Sequence, residues 1–80
     1  LTNAKAMPNI LGMIDSSKPV IAARVRELRA ARSLTQEQLA DLARLDRHTV
    51  QNVEAAKNCT VDVLDAIAGA FNVELRELVE

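Results

Sequence analysis

Two short helices joined by a turn of about three or four residues are predicted by residues 34–56, LTQEQLADLARLDRHTVQNVEAA. Thr35 is a favourable N-cap residue, and Gln38 stands three positions later, as a capping box requires. The first helix of the pair is therefore expected over residues 35–43. Its apolar face is predicted to consist of Leu39 and Leu42.

The second helix of the pair is expected over residues 46–56. Asp46 is suited to cap its start, and Val50 and Val53 would face inward. The polar side chains left on the outer face are Arg47, His48, Gln51 and Asn52. A helix that carries such side chains at its exposed start, held across a shorter helix, has the geometry of helix-turn-helix DNA reading.

The composition of the whole chain favours an all-α protein with one aliphatic core. Hydrophobic residues make up 49% of the 80 residues, with one Phe, no Trp or Tyr, two Gly and two Pro. The scarcity of helix-breaking residues and the lack of β-type alternation both favour helices. A chain of this length forms one domain at most and buries only about 60% of its unfolded surface.

Three further helices are expected around the central pair. The first begins at Val20, directly after Pro19, and Ser33 closes it where glycine is often used. Thr60 caps the next helix, Asn72 ends it in a left-handed conformation, and a short fifth helix follows. The predicted core consists of Ile21, Val25, Leu28, Leu39, Val50, Val53, Leu64, Ile67 and Phe71, with Leu34 and Leu45 filling the two turns.

Residues 1–19 differ from the rest and are interpreted as an N-terminal arm that precedes a domain at residues 20–80. Pro8 and Gly12 interrupt any long helix there, while the Met7–Ile14 segment holds a compact apolar cluster. Two interpretations of the arm stay open. It packs back on the domain or is partly ordered, or it is a dimerisation element that covers exposed Met and Ile side chains.

The net charge of −1 conceals an uneven distribution along the chain. Residues 18–57 contain eight Lys/Arg and five Asp/Glu, a balance of +3, whereas residues 58–80 contain one Arg and five acids, a balance of −4. Because phosphate binding depends on the local charge more than on the total, the positive central part is compatible with a nucleic-acid partner.

The sequence offers no catalytic or metal-binding constellation. His48 and Cys59 are single residues of their kinds, eleven positions apart, so neither a zinc site nor a nucleophile–base pair is expected. One cysteine excludes an internal disulfide and fits a cytoplasmic location. No apolar run approaches the ~20 residues that span a bilayer. We therefore expect a protein that is no enzyme and that needs no cofactor.

Motif elements follow one another in a fixed order over residues 20–79. They read R-x-x-R-x-x-R-S-L-T-Q-E-Q-L-A, then L-D-R-x-T-V, then V-E, then T-V-D-x-L-x-x-I-A-x-A-F-x-V. In this order and spacing the chain resembles the lambda-repressor-like, or XRE/Cro-type, helix-turn-helix domain. The resemblance implies an all-α, compact five-helix bundle that binds double-stranded DNA.

The resemblance also implies roles for individual side chains. Arg47, His48 and Asn52 match family positions that enter the major groove, and Gln51 lies on the same outer face. Arg can fork onto guanine and Asn onto adenine, which suits both to base recognition. The positions expected at the DNA backbone are Gln36, Arg44, Thr49, Lys57 and Asn58. Arg29 and Glu54 match a buried ion pair that joins the first helix to the recognition helix.

Two positions depart from the family pattern. Arg44 stands where the turn between the paired helices often has glycine, and Ala56 stands where glycine is common after the recognition helix. A left-handed Arg44 would carry roughly 1 kcal/mol of strain, which a phosphate contact could offset.

These observations favour a DNA-binding transcriptional regulator, expected to be a repressor that reads a palindromic operator as a dimer. The dimer contacts are expected from Leu75, Leu78 and Val79, or from the Met7–Ile14 segment. The alternative is a protein-interaction module on the same fold, such as an antitoxin or adaptor, whose partner surface would be the acidic C-terminal part.

Overall fold

The structure, a computed structural model, describes residues 18–57 and 59–79. Within those ranges the chain forms helices and no strand. In chain order the helices are α1 (Lys18–Ala31), α2 (Gln36–Ala43), α3 (Arg47–Glu54), α4 (Val61–Phe71) and α5 (Arg76–Val79). The predicted all-α fold with five helices is confirmed.

The helices begin at polar residues, as local chemistry predicts. The Thr35 hydroxyl accepts from the Gln38 N–H at 3.0 Å, and Gln38 Oε1 accepts from the Thr35 N–H at 2.9 Å, so the predicted capping box is present. The Thr60 hydroxyl caps α4 by accepting from the Val63 N–H at 3.2 Å. Asp46 occupies the N-cap of α3 but makes no side-chain cap hydrogen bond. The prediction that its carboxylate caps α3 is wrong, because only its main-chain carbonyl accepts the first helical N–H groups.

Four helices end in the same way, through a residue with positive φ that is not glycine. These residues are Ser33 (φ 55°), Arg44 (φ 59°), Ala56 (φ 59°) and Asn72 (φ 60°). In each case the next residue donates its N–H back to a carbonyl of the last helical turn, at 2.8 to 3.0 Å. This is the Schellman arrangement, which satisfies carbonyl groups that the helix itself leaves open.

Two predicted helix boundaries are shifted. α1 begins at Lys18 rather than at Val20, because Pro19 lacks only an N–H that the first turn would not use. α3 ends at Glu54, two residues short of the predicted end, because Ala56 adopts the left-handed conformation that stops it.

The predicted core is confirmed with one exception in degree. Eight of the nine predicted core residues are buried. The ninth, Leu28, is half-buried and packs against the others. Leu34 and Leu45 fill the two turns as expected. The prediction for Leu42 is wrong, because its side chain is 57% exposed. The side of α2 that faces the core of the domain consists of Leu39, Ala40 and Ala43. Leu42 lies outside this buried face.

α5 completes the bundle by packing against α1. Leu78 and Val79 are buried within the protomer, while Leu75 is half-buried. Arg24 Nη1 also donates to the Glu77 carbonyl at 2.6 Å, which ties α1 to α5. The prediction that Leu78 and Val79 form a dimer contact is therefore wrong, because both side chains are used to close this core.

Some predictions fall on positions beyond the described residues, namely those for the Met7–Ile14 segment, for most of the N-terminal arm and for Asn58. The described part contains no helix long and apolar enough to cross a membrane.

Candidate nucleic-acid interface

α3 presents one polar face outward and one mainly apolar face inward. Val50 and Val53 are fully buried against the other helices, and α2 and α1 both pack on this helix. On the opposite side, Arg47 and His48 are exposed, and Gln51 and Asn52 are half-buried. Because helical residues four positions apart share a side, Arg47 lies in line with Gln51 and His48 in line with Asn52, and these two adjacent rows form one surface.

The side chains predicted to meet the DNA backbone lie around that surface. Arg44 is exposed in the turn between α2 and α3, with φ 59° and ψ 44°. Lys57 is exposed just beyond the other end of α3, and Thr49 is half-buried on it. The left-handed Arg44 that its unusual position suggested is therefore present. Exposed cations therefore border α3 at both ends, with Arg44 and Arg47 at its start and Lys57 beyond its end.

A bidentate ion pair fastens α3 to α1. Arg29 Nε lies 2.7 Å from Glu54 Oε2, and Arg29 Nη2 lies 3.1 Å from Glu54 Oε1. The Glu54 side chain is 4% exposed and that of Arg29 is 22% exposed. These hydrogen bonds raise the pKa of the Arg29 guanidinium and outweigh the opposite effect of its burial. The buried pair that the sequence suggested is thus formed in the structure.

Gln36 joins the same network from α2. Its Nε2 donates to Glu54 Oε1 at 3.1 Å, so the first residue of α2 is bound to the last residue of α3. The resemblance implied that Gln36 would contact the DNA backbone. In this structure its amide nitrogen binds the buried carboxylate, the side chain is half-buried, and the DNA contact stays a prediction.

A contact between Arg26 and the end of α3 was not predicted from the sequence. Its Nη1 donates to the main-chain carbonyl of Glu54 at 2.5 Å, while Arg29 Nη1 donates to the Leu34 carbonyl at 2.9 Å. The spacing of Arg26 and Arg29, one helical turn apart, was a usable signal for a shared direction. Nothing in the sequence marks a main-chain carbonyl as the acceptor, because every residue has one.

The arrangement is suited to binding a polyanion and reading its edges. Forked Arg and amide Asn or Gln side chains match the donors and acceptors of base pairs in the major groove, and exposed cations at both ends of α3 match phosphates. Among the described residues, no group of three or more His, Cys, Asp or Glu side chains could hold a metal ion.

Comparisons with known proteins agree on the fold and on its class. A family model described as helix-turn-helix matches residues 25–78. The restriction-modification controller protein C.AhdI from Aeromonas hydrophila is similar in structure, with a TM-score of 0.73 and 39% identity, covering 79% of this chain and 97% of that chain. The hypothetical transcription factor NHTF from Neisseria has a TM-score of 0.76 and 29% identity, covering 80% of this chain and 75% of that chain. No curated protein matches the sequence.

Proposed function

Because this chain belongs to the lambda-repressor-like helix-turn-helix family and is a DNA-binding transcriptional regulator of that type, we propose that it represses transcription from a palindromic operator. The observation that supports this most is the outer face of α3. That face collects forked and amide side chains on a helix whose buried end is fixed to both α1 and α2. Because a rigid helix pays little conformational entropy on binding, such a surface favours selective recognition.

In this proposal α3 lies in the major groove. Arg47, His48, Gln51 and Asn52 contact base edges, with Arg47 forked onto a guanine and Asn52 onto an adenine. Gln36, Arg44, Thr49, Lys57 and Asn58 contact phosphates and fix the register of the domain, although they carry no sequence information.

We further propose that the protein binds as a dimer. One domain offers too few base contacts for strong selectivity, and two copies would read half-sites about one helical turn apart.

Of the contacts suggested by the sequence, Leu75 is half-buried and Met7–Ile14 precedes the described residues, while Leu78 and Val79 are occupied in the core. Sedimentation of the full chain, of Leu75→Glu and of a chain lacking residues 1–16 tests this. Dimer loss in either variant would locate the interface, and a monomeric full chain on its operator would contradict the dimer.

The decisive experiment is selection of bound sequences from a random duplex pool, followed by anisotropy titration of the selected duplex at two salt concentrations. A regulator should select a motif with two-fold symmetry and lose affinity steeply as salt rises. Arg47→Ala should cost about 1–3 kcal/mol and relax the preference at one base position. Arg76→Ala is the matched control, because Arg76 is exposed on α5 and pairs with Glu74, which precedes that helix.

The alternative, a protein-interaction module, predicts a different result. If the folded protein selects no sequence and binds no duplex even in low salt, the regulatory proposal fails and an antitoxin or adaptor role becomes the better interpretation. A reporter gene placed behind the selected operator separates repression from activation by the sign of its response.

Genes of a restriction–modification system are the targets that we propose to examine first. The Aeromonas controller protein is 39% identical, and the match covers 97% of its length. The selected motif should then occur upstream of restriction and methyltransferase genes in the genome that carries this chain. If it occurs elsewhere, this choice of target is wrong while the DNA-binding proposal stands.

A further inference from the structure

The C-terminal end of α3 is built differently from the ends of α1, α2 and α4. In those three helices the residue after the left-handed position is apolar and packs against the core, and it is Leu34, Leu45 or Val73. After Ala56 the corresponding residue is Lys57, which is exposed. The recognition helix therefore lacks the apolar contact that usually accompanies a Schellman ending.

A hydrogen bond from α1 supplies a different anchor at this end. The carbonyls of Gln51, Asn52 and Val53 accept the N–H groups of the residues that follow α3, at 2.8 to 3.1 Å. The carbonyl of Glu54, the last residue of the helix, accepts from Arg26 Nη1 at 2.5 Å. A cation is also favourable at this position, because the C-terminal end of a helix carries partial negative charge.

Glu54 is consequently held at two separate points. Arg29 and Gln36 bind its carboxylate, whereas Arg26 binds its main chain. The carboxylate contacts fix where the end of α3 lies. A second contact, on the main-chain carbonyl, restrains rotation of the helix about its own axis. A contact on the side chain alone restrains that rotation less, because the side chain can turn about its own bonds. Since Arg47, Gln51 and Asn52 project from that helix, a small rotation would move all three.

We propose that Arg26 is a positioning residue for base recognition, which acts by fixing the rotation of α3 on the body of the domain. This inference rests on the proposed DNA-reading function. It differs from a phosphate contact by Arg26, because it predicts that sequence discrimination, and not general attraction to DNA, depends on this guanidinium.

The test compares Arg26→Gln with three other forms of the full chain: wild type, Arg26→Lys and Arg76→Gln. Arg76→Gln removes the same charge from the exposed surface of α5, while Arg26→Lys keeps a cation that can still donate to the Glu54 carbonyl. Folding of Arg26→Gln is expected to persist, because the buried carboxylate keeps Arg29 and Gln36. Thermal unfolding monitored by circular dichroism checks this.

Two readouts are measured. The first is affinity for the duplex selected by the wild type and for a scrambled duplex of equal length, each across a salt series. The second is amide hydrogen exchange at Ala55, Ala56 and Lys57, whose N–H groups close the end of α3, and it needs no DNA.

We expect Arg26→Gln to reduce the preference for the selected duplex by about tenfold, the effect of roughly one mismatched base pair. The salt slope should stay unchanged, the three amides should exchange faster, and Arg26→Lys should restore most of the preference. Arg76→Gln should resemble the wild type.

Three results would overturn the proposal. Equal weakening on both duplexes with a salt slope lower by about one would make Arg26 a phosphate contact. Faster exchange with an unchanged preference would leave it a purely structural residue. A wild type that prefers no sequence would refute the proposed function and this inference with it, and the exchange data would then show separately whether the anchor exists.

Discussion

Arg44 shows at the scale of one residue how stability and binding can place opposite demands on a position. Its left-handed backbone costs energy for a side chain with a Cβ, whereas its exposed guanidinium stands next to the outer surface of α3. Glu54 shows the reverse case, since its buried carboxylate serves the fold and holds the recognition helix through the same bonds.

Arg44→Gly should stabilise the protein and weaken DNA binding. Glycine removes the left-handed penalty, so the free energy of unfolding should rise by about 0.5–1 kcal/mol despite the greater freedom of the unfolded chain. Affinity should fall equally for specific and scrambled duplexes, because a phosphate contact carries no sequence code. Urea unfolding and anisotropy measure the two effects. Asn72→Gly is the control for the backbone effect and should gain less, since Asn tolerates this conformation. Unchanged affinity would remove Arg44 from the backbone contacts.

The Arg29–Glu54 pair should show strong coupling in a double-mutant cycle. Removing either partner leaves the other buried charge without its counter-ion and should lower the free energy of unfolding by about 3–5 kcal/mol. Removing both should lower it by much less than the sum of the two single effects. Arg29→Met and Glu54→Gln, singly and together, are suitable variants for urea unfolding. The raised pKa of Arg29 adds stability that is complete below the ordinary pKa of an arginine and is lost only as the pH rises through the raised pKa, so measurement near neutral pH captures this contribution fully. Additive single effects would show that the contact contributes no coupling energy.

At the scale of the element, the helices are defined by their ends. Two threonines start α2 and α4, and left-handed residues stop α1 to α4. Gly69, in the interior of α4, works against this local consistency, because glycine is a poor helix former and this one is exposed with no close approach that requires it. A Cβ built on Gly69 meets no atom within 4 Å.

Gly69→Ala should therefore stabilise α4. Alanine lowers the conformational entropy of the unfolded chain without a clash, and the expected gain in the free energy of unfolding is about 0.5–1 kcal/mol. Thermal or urea unfolding measures it, and DNA affinity should not change. Ala70→Gly on the same helix should have the opposite sign. A loss of stability in Gly69→Ala would mean that the glycine is needed by a contact outside the described residues.

At the scale of the whole molecule, α5 is part of the core rather than an appendage. It packs on α1 and buries Leu78 completely, while α1 and α2 hold α3. The outer face of α3 is thereby fixed to a body that includes α5.

Leu78→Ala should consequently destabilise the monomeric unit itself. Truncating a fully buried leucine costs about 2–5 kcal/mol, according to how far the core can collapse around the cavity. Leu75→Ala, on a half-buried side chain, is the control and should cost much less. Unfolding midpoints at two protein concentrations separate the two origins of stability. If the Leu78→Ala effect vanished on dilution, the side chain would act at an interface between copies and not in the core.

The sequence by itself determined the elements and most of the core. Caps, left-handed stops and the spacing of Leu and Val are local chemistry, so the capping box of Thr35, the end at Asn72 and the burial of Val50 and Val53 were predictable. The outward position of Arg47 followed from the same periodicity.

Tertiary structure alone decided how these elements share their partners. The assignment of Leu78 to the core, the exposure of Leu42 and the bond from Arg26 to the Glu54 carbonyl depend on which helices come together. Periodicity tells which residues share a face, but it does not tell whether that face meets another helix, another molecule or water. A main-chain acceptor leaves no mark in the sequence, so this anchor of the recognition helix could be found only in three dimensions.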